Sequence, residues 1–181
     1  MTQIDSLSGE IVVLNRENYK LKGNIDNQKR SNENLSMENA GLKNKVAIGA
    51  KLNTSALIVT GIKMRSNGKE KETMKAKQVE QIKLTFKIAE NYVAEKGKKE
   101  VYLKITSLDG TTLYNQATGT ATFNYQGEAS LYTQKKIVEF TQEAQDVSIY
   151  WVKGTEFNVG KYKAEIYADG FKIGAVDFEL K

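Results

Sequence analysis

The sequence predicts a mainly β protein with an N-terminal α-helical coiled coil, and three observations carry that expectation. A heptad runs from Ile4 to Val46 with no slip in its 3-4 spacing, a two-residue alternation replaces it from Ser55 onward, and every one of the sixteen aromatic residues except Tyr19 lies beyond residue 46. A segment so poor in aromatic side chains holds no core of its own. It must bury its apolar stripe against another surface.

The heptad comes first. With Ile4 at position a, the a positions are Ile4, Ile11, Asn18, Ile25, Asn32, Asn39 and Val46, and the d positions are Leu7, Leu14, Leu21, Gln28, Leu35 and Leu42. β-Branched residues at a with leucine at d favour two strands, and an asparagine at a pairs with its own copy across a parallel dimer, fixing register at a cost in stability. Glu17 at g faces Lys22 at the following e, and Glu38 faces Lys43 in the same way, which again suits a parallel pair. Gln28 interrupts the d layer and keeps a trimer as the alternative. The expected organisation is therefore a parallel, dimeric coiled coil over 1–48, a linker over 49–54 that breaks the heptad at Gly49, and a β-sandwich over 55–181.

Beyond the linker, Ile82, Leu84, Phe86 and Ile88 alternate with Lys83, Thr85 and Lys87, and the same pattern recurs at Val101–Ile105, Val147–Trp151 and Tyr162–Ala168. Adding 56–65, 120–125, 131–140 and 171–180 gives roughly eight antiparallel strands. The first of these is apolar on both faces and is expected to be central or covered. Asp109-Gly110 and Asp169-Gly170 have the chemistry of two-residue hairpin turns. A change of parity between Ile173 and Val176 predicts a bulge near Gly174.

Gly160-Lys161-Tyr162, at the start of a long strand, resembles the tyrosine corner of immunoglobulin-like sandwiches. The string Lys69-Glu70-Lys71-Glu72-Thr73 through Lys75-Ala76-Lys77, with 82–91 and 102–110, is similar to Bacteroidota envelope proteins that carry a coiled coil before an immunoglobulin-like β domain. In that family, as the resemblance implies, a membrane anchor precedes the coiled coil. The Met1-Thr2-Gln3-Ile4 start has neither the charged nor the apolar region of a signal peptide, and no apolar run reaches spanning length. An upstream anchor would place the protein on the periplasmic side of the cell envelope; without one, the cytoplasm is expected.

The chemistry available to an active site is narrow. The chain has no cysteine and no histidine, which removes thiolate chemistry, disulfides and the commonest general base and metal ligand. Asp109 and Asp169 each precede glycine in a turn, which accounts for both without catalysis. No phosphate loop, dinucleotide fingerprint or calcium loop is present, so no enzyme and no cofactor are expected.

The densest positive feature is Lys63, Arg65, Lys69, Lys71, Lys75, Lys77 and Lys83, interspersed with Glu70, Glu72 and Glu80. It fits either a solvated hairpin or a patch for nucleic acid, anionic lipid or an acidic protein. The mixed glutamates and the lack of interleaved aromatic residues speak against nucleic acid. Tyr102, Tyr114, Tyr125, Tyr132, Tyr150 and Tyr167, several of them at outward parity on strands, fit an interaction surface or cross-strand packing. The favoured expectation is a non-enzymatic dimeriser and spacer presenting sandwiches to a protein or glycan. Nucleic-acid or anionic-surface binding through the basic hairpin at 63–83 is the alternative.

Overall fold

The computed structural model describes residues 3–114 and 119–181, with side chains from position 7 onward. The chain divides into two compact units, Met1–Ile48 and Gly49–Lys181.

The first unit is one helix, α1 (Gln3–Gly49), 47 residues long, or about 70 Å at ~1.5 Å per residue. No proline interrupts it, and Gly9, Gly23 and Gly41 all face open space. Leu7, Ile11, Leu14, Leu21, Ile25, Leu35, Leu42 and Val46 are all more than half exposed in the single chain. Asn18, Gln28, Asn32 and Asn39 are exposed with them. The side chain of Ile4 lies outside the described residues.

The second unit is antiparallel β. One sheet has the order β2-β1-β3-β8, built from β2 (Glu70–Glu72), β1 (Thr54–Met64), β3 (Gln81–Ile88) and β8 (Gln145–Trp151). The other has the order β10-β9-β4-β7, from β10 (Phe171–Leu180), β9 (Gly160–Ala168), β4 (Gly97–Ser107) and β7 (Gln134–Phe140). The remaining pair, β5 (Ala121–Tyr125) and β6 (Glu128–Tyr132), forms a separate hairpin. Alternation sends Ile82, Leu84, Phe86 and Ile88 inward from the first sheet, and Val101, Leu103, Ile105, Ala164 and Ile166 inward from the second, into one shared core.

Both sheets remain open, and their edges are fastened locally. Thr54 Oγ1 donates to the Ile173 carbonyl at 2.6 Å, where β1 and β10 each shift register, between Ser55 and Ile58 and between Lys172 and Gly174. Gly174 permits this approach, because a Cβ there would lie 2.4 Å from Thr54 Oγ1. The bulge expected near Gly174 is thus present. Tyr162, at the start of β9, donates its hydroxyl to the Asn158 carbonyl at 2.7 Å.

Several expectations need correction. Among the described residues there are ten strands rather than eight, because residues 131–140 split at Thr133 and β2 adds a short strand. Thr133 is buried; its Oγ1 accepts from the Ile105 N–H and donates to the Leu113 carbonyl, so the chain leaves one pairing and starts another there. Asp169-Gly170 is a two-residue turn with both residues at positive φ, 50° and 76°. Asp109-Gly110 belongs instead to a three-residue loop between Ser107 and Thr111, and only Gly110 takes a positive φ, 83°. The first strand lies inside its sheet, between the short β2 and β3.

Candidate functional site

The basic stretch folds into a hairpin whose register decides what its charges do. β1 pairs with β2 so that Ile62 faces Glu72, Lys63 faces Lys71, and Met64 faces Glu70. The Arg65 N–H donates to the Lys69 carbonyl at 3.0 Å and the Gly68 N–H to the Arg65 carbonyl at 2.9 Å, closing a loop of Ser66, Asn67 and Gly68. Residues directly opposite share a face, and successive pairs alternate between faces. Lys63, Lys71, Arg65 and Lys69 therefore occupy one face of the hairpin, and Glu70 and Glu72 occupy the other.

The acids on the far side are partly engaged. Glu70 pairs with Lys83 at 3.6 Å, and Glu80 accepts the Met64 N–H at 3.1 Å. Lys83 thereby leaves the basic cluster. Its ammonium sits 5.2 Å from the centre of the Tyr150 ring, and Tyr150, ahead of the charge of Glu70, raises its pKa against the effect of burial. Among the described residues, none of Lys63, Arg65, Lys69, Lys71, Lys75 and Lys77 forms an ion pair.

After β2 the chain crosses over β1 at Gly61. The Thr73 N–H donates to the Gly61 carbonyl at 2.8 Å, and a Cβ on Gly61 would lie 2.2 Å from the Thr73 carbonyl oxygen. The crossing segment buries Ala76 and Val79 in the core. It is tied to the end of β10 by bonds of 2.7 Å from the Ala76 N–H to the Lys181 carbonyl and from the Lys181 N–H to the Met74 carbonyl. Lys75 and Lys77 flank buried Ala76 and remain exposed.

The tyrosines are disposed differently. Tyr102 and Tyr167 face each other across β4 and β9, and the β5–β6 hairpin covers both. Phe123 stacks on Tyr102 with centroids 4.7 Å apart and lies 5.0 Å from Tyr167; Tyr125 and Tyr132 complete the cluster. The Tyr167 hydroxyl donates to Glu165 at 3.0 Å. Burial alone would raise the Glu165 carboxyl, but Tyr167, Lys172 and Lys163 outweigh it and hold it below the usual carboxylate range. Four of the six tyrosines thus form a small second core, leaving Tyr114 exposed and Tyr150 beside Lys83.

Asp109 accepts from the Ser107 hydroxyl and the Thr111 N–H inside its own loop, and these bonds lower its pKa. Asp169 pairs with Lys99 at 2.9 Å. Sequence reasoning passed over the adjacent end of the β unit. There Leu108 and Val159 line an open hollow of about 650 Å³ together with Lys153, Lys161 and Tyr162. Their exposure is set by loop geometry, which alternation along strands does not report.

No curated protein sequence matches the chain. Among solved structures it is similar to the Pseudomonas fluorescens alkylpurine DNA glycosylase AlkC bound to DNA containing an abasic site analog. The likeness is at 18% identity and a TM-score of 0.40, covering 74% of this chain and 31% of that one. The expectation of a spacer presenting sandwiches to a protein or glycan is withdrawn, because the tyrosine face suited to such binding lies under the protein's own hairpin. The family model described as "Domain of unknown function (DUF8428)" matches residues 55–181, and the chain belongs to that family.

Proposed function

We propose that the β unit binds phosphate-bearing polyanions through the cationic face of the β1–β2 hairpin. The observation that carries this is Lys63 directly opposite Lys71. Like charges in opposite positions destabilise a hairpin, and the next pair on the same face, Arg65 and Lys69, repeats the arrangement. An anion lying along the face relieves both repulsions. The glutamates that dilute the cluster in the sequence stand on the other side, so they do not oppose such a ligand. The face carries no aromatic ring for stacking and reads no base edge, so binding follows charge rather than sequence.

The test compares two variants for binding to a labelled DNA duplex and to inorganic polyphosphate. Lys63→Gln/Arg65→Gln/Lys69→Gln/Lys71→Gln should lose about tenfold or more in affinity, whereas Glu70→Gln/Glu72→Gln should lose none. Equal affinity in the two variants would overturn the proposal.

The arrangement of both units supports two finer readings. Apart from β2 and the β5–β6 hairpin, seven strands divide as first, second and fifth against third, fourth, sixth and seventh. That division, with the bond from Tyr162 to Asn158, supports an immunoglobulin-like sandwich whose fourth strand has changed sheets. The exposed a and d stripe of α1 supports a parallel two-stranded coiled coil, because a helix so polar overall gains its stability from a partner. An Asn18→Cys chain should cross-link to its own copy on oxidation, and a monomeric mass in light scattering would exclude the pairing.

A further inference from the structure

We infer that the end of the β unit bearing the cationic hairpin docks on an anionic lipid surface, with Leu108 and Val159 entering the headgroup region while the lysines meet lipid phosphates. This rests on the phosphate-binding reading above and names the source of the phosphates. β1 and β8 finish at this end, and residues 152–159 cross there from β8 to β9. β4 finishes at the same end, where Ser107 faces Tyr162 near the start of β9. The hairpin and the two apolar loop residues therefore share one end of the sandwich.

Leu108 is 83% exposed and Val159 is 67% exposed. Loop order accounts for both. The Gly110 N–H donates to the Ser107 carbonyl at 2.9 Å, and the Asp109 carboxylate accepts from Ser107 and Thr111, so the loop holds Leu108 outward without a neighbour to cover it. Val159 follows Asn158, whose carbonyl is held by the Tyr162 hydroxyl. A solitary exposed apolar residue is ordinary on a protein surface. Two of them, held by ordered loops and lining one hollow with Lys153 and Lys161, form an apolar tip within a cationic rim.

That pairing suits a membrane interface, where weak apolar insertion and attraction of basic residues to anionic lipid must act together to give stable binding. A nucleic acid offers only the charge and leaves the apolar tip uncovered. Asp109 is consumed within its loop; the acids that remain at this end are Glu156 on the connection from β8 to β9 and Asp177 and Glu179 of β10, which line a hollow with Leu108, Lys161 and Lys163.

The experiment is sedimentation of the full chain with vesicles of phosphatidylcholine, with or without roughly 30% phosphatidylserine, alongside titration of a DNA duplex. The unsubstituted chain should bind the anionic vesicles and not the neutral ones. Leu108→Ser/Val159→Ser should lose about tenfold in vesicle binding while keeping its duplex affinity, and the four-glutamine hairpin variant should lose both. Undiminished vesicle binding by the serine variant, or duplex binding without vesicle binding, overturns the lipid inference and leaves the phosphate reading standing. Absence of binding to either ligand overturns both.

Discussion

The β1–β2 hairpin pairs an 11-residue strand with one of three residues, the β5–β6 hairpin pairs two strands of five, and the two dispose of their side chains in opposite ways. β5–β6 turns Phe123, Tyr125 and Tyr132 onto Tyr102 and Tyr167, so its rings are consumed in packing. β1–β2 sorts its charges and leaves Lys63, Arg65, Lys69 and Lys71 on one face, with no carboxylate partner among the described residues. Both clusters draw attention in the sequence. Only the cationic one leaves its chemistry free for another molecule, which is why the functional proposal rests there.

This contrast can be broken by substitution. The largest effect is expected at Phe123, which is 7% exposed: Phe123→Ala should cost about 3 kcal/mol and strip hydrogen-exchange protection from residues 121–132. Unchanged protection there would show that the rings contribute little to holding the hairpin. Gly61→Ala should cost about 2 kcal/mol, because its Cβ has no room beside the Thr73 carbonyl, and a neutral result in denaturant would contradict the crossing geometry.

Acid should loosen the aromatic side selectively. Glu165 has its pKa lowered in the folded protein, so the stability it adds is present above the ordinary glutamate value and is lost as pH falls through the lowered one. Glu165→Gln should flatten that acid limb of the stability profile, and an unaltered limb would assign the dependence to other carboxylates. The smallest effect on stability is expected in the cationic hairpin. Replacing Lys63, Arg65, Lys69 and Lys71 by glutamine should change unfolding by less than about 0.5 kcal/mol, with a slight gain where repulsion is relieved.

The parts legible in the sequence were those set by local rules. Alternation located β3, β4, β8 and β9; Asp169-Gly170 has residues that tolerate positive φ; and the parity change placed the β10 bulge. Gln126-Gly127 also turns with both residues at positive φ, 54° and 88°, yet glutamine gives no such signal. The break at Thr133 depends on bonds to Ile105 and Leu113, 28 and 20 residues away, and the tyrosine cover depends on a hairpin folding back over β4 and β9. The sorting of charge was hidden for a related reason: it follows from a three-residue loop fixing the register, and composition does not count faces.

Whether Lys63, Arg65, Lys69 and Lys71 form one phosphate-binding face is decided by the salt dependence of duplex binding. Binding driven by released counterions weakens linearly in log–log form with a slope of about −0.9 for each phosphate neutralised. The account predicts that the four-glutamine variant, folded as before, shows a slope shallower by about 3 to 4 than the unsubstituted chain. The same slope in both proteins would contradict it.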